Sequence, residues 1–218
     1  MSYNIAIDGP AGAGKSTIAR KLAEKLSFIY VDTGAMYRAM AYYFLTNGIP
    51  TESEAAVSFS CEEIRIALAF EDGIQKVLLN GKDVSGEIRR EEVGRAASVV
   101  SAYPAVRRKL LHLQREIAAQ NDVIMDGRDI GTCILPQAQL KIYLTASVHT
   151  RAVRRYHELV EKGQTCDLAE IEKDIEERDY RDMHREIAPL CVADGAVTVD
   201  SSELGIDEVV DAIYRLMP

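Results

Sequence analysis

Residues 9–16 read Gly-Pro-Ala-Gly-Ala-Gly-Lys-Ser, an instance of the pattern G-x-x-x-x-G-K-[ST]. An apolar run at 3–8 precedes the octet, and Ile18, Leu22 and Leu26 recur every four residues after it, so it joins a strand to an amphipathic helix. Chemistry accounts for the residue types. Glycines let the backbone curl until successive N–H groups point at phosphate oxygens, and the following helix N-terminus adds partial positive charge. Gly9, Pro10, Ala11, Gly12, Ala13, Gly14, Lys15, Ser16 and Thr17 are therefore the candidate contacts to a nucleoside triphosphate. Lys15 is placed to reach the β- and γ-phosphates, and the Ser16 hydroxyl to ligate Mg²⁺.

Working outward, five short apolar segments bounded by turn signals read as buried strands: 3–8, 28–32, 122–126, 140–145 and 196–200. Helical stripes separate most of them, including Ile206, Val209, Val210, Ile213, Leu216 and Met217 at the C-terminus. Strand–helix alternation predicts an α/β fold, a five-stranded parallel sheet with helices on both faces. One stretch breaks the alternation. Ile64, Ile66, Leu68 and Phe70 alternate with other residues, followed by Asp72-Gly73, Val77, Leu79 and Asn80-Gly81. Two turn dipeptides among strand-like runs predict a small antiparallel meander. It forms part of an insertion spanning roughly 35–100.

The chain of 218 residues supports one packed core with an inserted subdomain, and its 47% hydrophobic and 28% charged residues are ordinary globular values. A net charge of −8 argues against a general nucleic-acid binder. No apolar run approaches the length of a membrane span, and the N-terminus reads directly as a strand rather than a signal peptide. Cys61, Cys133, Cys166 and Cys191 lie far apart without a C-x-x-C pair, as expected of reduced thiols in the cytoplasm. His112, His149, His157 and His184 lack metal-ligand spacing and read as surface or helix residues.

Two strand-end segments narrow the choice among nucleotide-loop proteins. Residues 30–38, Tyr-Val-Asp-Thr-Gly-Ala-Met-Tyr-Arg, follow the second strand, and residues 126–132, Asp-Gly-Arg-Asp-Ile-Gly-Thr, follow the third. Each offers hydroxyls, carboxylates and an arginine where open α/β sheets gather their ligands. Either alone could be a plain turn. Together beside a phosphate loop they suggest a second phosphorylated ligand, with Thr33, Arg38, Asp126 and Arg128 as candidate contacts. Asp126, ending an apolar strand, is also a reasonable carboxylate on the magnesium side. No N-K-x-D guanine reader is present in the right context, since Asn80-Gly-Lys-Asp lies in a turn.

With V-S-G-E-I-R at 84–89, A-S-x-V at 97–100 and E-R-D-x-R-D at 177–182, these segments resemble the bacterial cytidylate kinases in order along nearly the whole chain. The resemblance implies the phosphate-loop nucleoside monophosphate kinase fold, ATP as donor with Mg²⁺, and CMP or dCMP as acceptor. It divides a single kinase domain, 1–218, into a core (1–34, 101–150 and 186–218), a monophosphate-binding insertion (35–100) and a lid with its flanking helices (151–185). A monomer is expected.

Asp167-Leu-Ala-Glu170 reads as a helix start, and Ile171 and Ile175 begin a stripe that continues through Arg178, Asp182 and Arg185. Ordinary ion pairing on a solvated face would explain the change from apolar to charged. The functional reading is that this face leaves the core and enters an anionic cleft. The resemblance implies that Arg178 and Asp182 hold the ribose and that Arg185 helps read cytosine. It further implies Ser98, Arg107 and Asp129 as base contacts, with Arg38 and Arg128 on the acceptor phosphate. Arg151, Arg154 and Arg155 lie on a helix predicted over 148–162. They either solvate a surface or, as the resemblance implies, lead into the lid, with Arg151 and Arg155 acting beside Lys15 and Arg128 on the transferred group. A kinase for AMP, UMP or a non-nucleotide alcohol, and a regulatory nucleotide-binding module, remain the rival readings.

Overall fold

The computed structural model describes residues 2–71 and 74–217. Five parallel strands form the main sheet: β1 (Asn4–Asp8), β2 (Ile29–Asp32), β6 (Val123–Gly127), β7 (Leu140–Thr145) and β8 (Val197–Asp200), in the order β2-β6-β1-β7-β8. Ile5, Ala6 and Ile7 of β1, and Val123, Ile124 and Met125 of β6, are fully buried. Helices cover both faces of a parallel sheet, so its central strands read as continuous apolar runs rather than alternating ones.

The register sets the site. Asp32 lies beside Asp126, and Asp8 beside Gly127, so three strands end together at one edge with a carboxylate at or near each end. Helix α1 (Lys15–Leu26) starts directly from the loop after β1 and buries Ile18 and Leu22 against the sheet. Helix α2 (Thr33–Thr46) begins immediately after β2, its first turn capped by the Asp32 carboxylate, which accepts from the Ala35 N–H at 2.9 Å.

The expected meander is present as a three-stranded antiparallel sheet: β3 (Ile66–Glu71), β4 (Ile74–Leu79) and β5 (Lys82–Asp83). Asn80 and Gly81 both take positive φ, 48° and 84°, which gives the tight turn that Asn-Gly favours. The Asp72-Gly73 turn lies outside the described residues. With α3 (Glu54–Ser60) and α4 (Glu91–Val100), this sheet packs on α2 and α5 (Pro104–Gln120) around Met36, Met40, Phe44, Ile64, Ile88 and Leu110. Helix α5 bridges two clusters: Leu110 packs here, whereas Ala118 packs against the main sheet.

The remaining helices are α6 (Val148–Glu161), α7 (Leu168–His184) and α8 (Ile206–Tyr214). Asp167 caps α7 by accepting from Ala169 and Glu170 N–H groups, as the sequence predicts. Two stripes stop short of expectation. Helix α8 ends before Leu216 and Met217, and α7 ends before Arg185, whose extended backbone (ψ 142°) takes its side chain off the helical stripe.

Candidate active site

Three of the loop glycines adopt positive φ: Gly9 at 150°, Gly12 at 77° and Gly14 at 90°. A β-carbon on Gly9 would fall 1.9 Å from the Leu144 carbonyl oxygen, so only glycine lets the chain turn against β7 there. The Lys15 ammonium is buried behind the loop and donates to the Pro10 carbonyl at 2.7 Å. Burial first, then the nearby Arg128 and Arg178 cations, hold its pKa well below the usual lysine value despite the opposing charge of Asp126.

Asp126 sits at the centre of a polar knot. Its Oδ2 accepts from Ser16 Oγ at 2.9 Å and its Oδ1 from Tyr30 Oη at 3.1 Å, while its carbonyl accepts from Thr33 Oγ1 at 2.7 Å. Desolvation, reinforced by Asp32, raises the Asp126 carboxyl to about 6. A hydroxyl and a buried carboxylate side by side make a hard-oxygen pair of the kind that suits Mg²⁺. Among the described residues no cluster of three His, Cys, Asp or Glu side chains could hold a metal alone. A cation at this pair would therefore need further ligands, which phosphate oxygens could supply.

Beside this knot, carboxylates hold arginines. Arg128 Nε donates to Asp182 Oδ2 at 2.7 Å, joining the end of β6 to α7. Burial works against the Arg128 charge, but Asp182 outweighs it and carries the pKa upward. Burial likewise pushes Asp182 upward, and Arg128, Arg178 and Arg185 together hold it below the usual range. Asp129 is clasped twice, by Arg107 of α5 and by Arg185 at 3.3 Å. The Arg178 Nε is buried without a hydrogen-bond partner, and desolvation plus the Arg128 charge lower its pKa to about 10. Arg38 also bears on Arg178, so Lys15, Arg128, Arg178 and Arg38 concentrate positive charge beside a helix N-terminus. Ser98 Oγ is buried and unpartnered on α4.

A model of the family described as "Cytidylate kinase" matches residues 5–218. The chain is 51% identical over 213 residues to the cytidylate kinase of Lactobacillus johnsonii, covering 98% of this chain and 93% of that protein. It is 46% identical over 217 residues to that of Onion yellows phytoplasma, covering 99% and 96%. This chain belongs to the cytidylate kinase family. Among solved structures, an uncharacterized protein from Eubacterium ventriosum aligns with a TM-score of 0.55 at 11% identity, covering 98% of this chain and 97% of that one. A shikimate kinase from Bacteroides thetaiotaomicron aligns at 0.50 with 13% identity and the same coverage. At such identities these two speak for the fold alone.

In this cytidylate kinase family member, the arginines of α6 have separate surroundings. Arg151 is 3% exposed and fully engaged: Nε donates to the Ala146 carbonyl at 3.0 Å, Nη1 to Ala11 at 3.0 Å and Nη2 to Asp179 at 2.6 Å. Arg155 is half-buried and pairs with Glu158 at 2.9 Å. Arg154 binds Ser201, whose hydroxyl also donates to the Ala13 carbonyl at 3.3 Å. Sequence reasoning missed Asp8 and Asp179, both buried carboxylates with charged or backbone partners. For Asp179 a signal was available, since it stands four residues after Ile175 on the buried stripe. For Asp8 there was little, because its partners lie more than 120 residues away.

Proposed function

We propose that this chain transfers the γ-phosphoryl group of ATP to CMP and dCMP. The observation that carries the reading is the close gathering of Lys15, Arg128 and Arg178, in which the Arg128 charge depresses the pKa of both Lys15 and Arg178 and so favours an anion beside them. ATP lies along Gly9–Thr17, with backbone N–H groups and Lys15 on its phosphates. Ser16 and Asp126 would hold Mg²⁺, which would supply neutralisation of phosphate charge. The monophosphate takes Arg38 and Arg128 on its phosphate, near Thr33. Its ribose meets Arg178 and Asp182, and its base meets Ser98, Arg107, Asp129 and Arg185. The Asp129 carboxylate between Arg107 and Arg185 and the unpartnered Ser98 hydroxyl support this, because cytosine offers an amine donor beside acceptor atoms.

Phosphoryl transfer asks mostly for positioning and charge stabilisation. Lys15 and Arg128 supply these from the core. We assign residues 151–185 as a lid with its flanking helices, which brings Arg155 toward the transferred group, and 35–100 as the monophosphate-binding insertion. Arg151, with all three of its nitrogens engaged, serves this chemistry through the loop carbonyl it holds. We further place the protein in the cytoplasm as a monomer, a setting consistent with its four free cysteines. No described helix is long and apolar enough to cross a membrane.

The test is kcat/KM for CMP, dCMP, UMP and AMP in the wild type and in Asp129→Ala. Uracil would face the Asp129 carboxylate with a carbonyl, and a site built around a hydrogen bond discriminates by about 10⁴ against an analogue that cannot form it. CMP and dCMP are expected to far outperform UMP, with Asp129→Ala narrowing the ratio mainly by harming CMP. Equal proportional losses would remove Asp129 as base reader. Good wild-type activity with AMP would overturn the acceptor assignment.

A further inference from the structure

Asp8 ends β1, and no step of the transfer proposed above uses it. Its side chain is 3% exposed, yet both oxygens are engaged: Oδ1 accepts from the Ile130 N–H at 2.8 Å and Oδ2 from the Gly131 N–H at 2.7 Å. These two donors directly follow Arg128 and Asp129 in the chain. Residues Ile130–Ile134 form a short π-helical turn whose opening amides have no acceptor within it. A carboxylate from another strand therefore caps that turn. The contact is close. A β-carbon on Gly131 would stand 3.1 Å from Ala193 Cβ and 3.3 Å from Asp8 Oδ2, so the turn is pressed against the carboxylate.

Asp8 is also bonded through its own peptide to Gly9, the first residue of the phosphate loop, which packs without a side chain on the Leu144 carbonyl. One residue thus joins the root of the donor loop to the root of the turn that carries the acceptor's phosphate and base contacts. A carboxylate is the group suited to this, since it accepts both N–H bonds at once. An amide of the same shape would accept one and set its NH₂ against the other.

We propose that Asp8 is a positioning residue for acceptor selection, holding the 128–131 segment so that Arg128 and Asp129 face the monophosphate. This rests on the reading of Asp129 as base contact. The variant Asp8→Asn is assayed with CMP and UMP at saturating ATP, and with varied ATP at saturating CMP. Loss of one charge-assisted hydrogen bond lowers kcat/KM for CMP by about tenfold or more. The CMP-to-UMP ratio narrows, and KM for CMP rises more than KM for ATP. Losses shared equally by CMP, UMP and ATP overturn the proposal. Where Asp8→Asn does not fold, amide exchange in the ligand-free wild type decides. Ile130 and Gly131 amides as protected as those of β6 support a preformed cap, and exchange at the rate of an open loop overturns it. Absence of a CMP preference in the wild type defeats the base-contact reading alone, because the acceptor-against-ATP split in Asp8→Asn still measures what Asp8 holds.

Discussion

At the scale of single residues, charge that water does not screen decides most of what the site can do. Lys15 is buried beside the Arg128 and Arg178 charges, in the loop proposed to hold ATP. Replacing it by Met is expected to lower turnover by roughly 10²–10³-fold, the usual effect of deleting one preorganised electrostatic donor, and to leave CMP binding measured by calorimetry largely intact. Unchanged turnover would dismiss the loop as the ATP site. Asp8 gives a pH signature. Burial, opposed in part by its two N–H bonds, raises its pKa from 3.8 to about 6 in the folded protein. Between those values the native state keeps a proton that the unfolded chain has released, so this group's contribution is full below 3.8 and lost as pH rises through 6. The loss amounts to about 3 kcal/mol. The melting temperature of Asp8→Asn minus that of the wild type should therefore climb between about pH 4 and pH 6, and a flat difference would refute the buried, ionising carboxylate. Lys15 and Ser16 could be singled out in the sequence because the motif that carries them is local to one loop. Asp8 could not, because its purpose depends on which distant amides the fold brings to it.

At the scale of elements, the strands could be read to within a residue or so at each end, since a doubly covered parallel sheet imposes an apolar run on its central strands. Helix α2 was harder to see. The segment 30–38 reads as a strand end offering ligand contacts, and the helix there is recognisable only once Asp32 is taken as its cap. Helix α7 shows how a stripe can be half-read. Its step from Ile175 leads to Asp179 as well as Arg178, and the buried member is Asp179, the partner of Arg151. That pair links α7 to α6, and Arg151 carries the link on to the loop carbonyl of Ala11. Removing one member of a buried pair costs about 3–5 kcal/mol, because the other is left charged and unpaired. Asp179→Ala is thus expected to lower the urea midpoint strongly at unchanged m-value. Replacing both, as Arg151→Met with Asp179→Leu, should recover much of that stability while activity stays low, because the tie to the loop is gone. Recovery of activity along with stability would show that the pair serves folding alone.

At the scale of the whole molecule, the three larger apolar clusters lie under the main sheet and the insertion, whereas α6 and α7 share only a small one around Ala152, Ile171 and Ile175. What fixes this helix pair to the rest is largely polar: Arg151 to the Ala11 carbonyl, Asp182 to Arg128 and, just after α7, Arg185 to Asp129. Contacts of that kind can be exchanged for contacts to phosphate and base at modest net change, whereas a packed apolar face would have to be torn open. The proposed lid therefore sits on an anchorage that substrates themselves can rearrange. On the proposed site the acceptor would contribute to that rearrangement, since Arg128 and Asp129, its proposed contacts, are the groups to which Asp182 and Arg185 are tied. Closure that needs the acceptor keeps water from the γ-phosphate until transfer can occur. ADP release from ATP alone should accordingly be far slower than with CMP present. Addition of CMP with a non-hydrolysable ATP analogue should slow amide exchange in α6 and α7 more than either ligand does singly. Rapid ADP release without acceptor, at a rate comparable to that with CMP, would favour an ATPase over a kinase and would leave the polar anchorage of α6 and α7 without the gating role assigned to it.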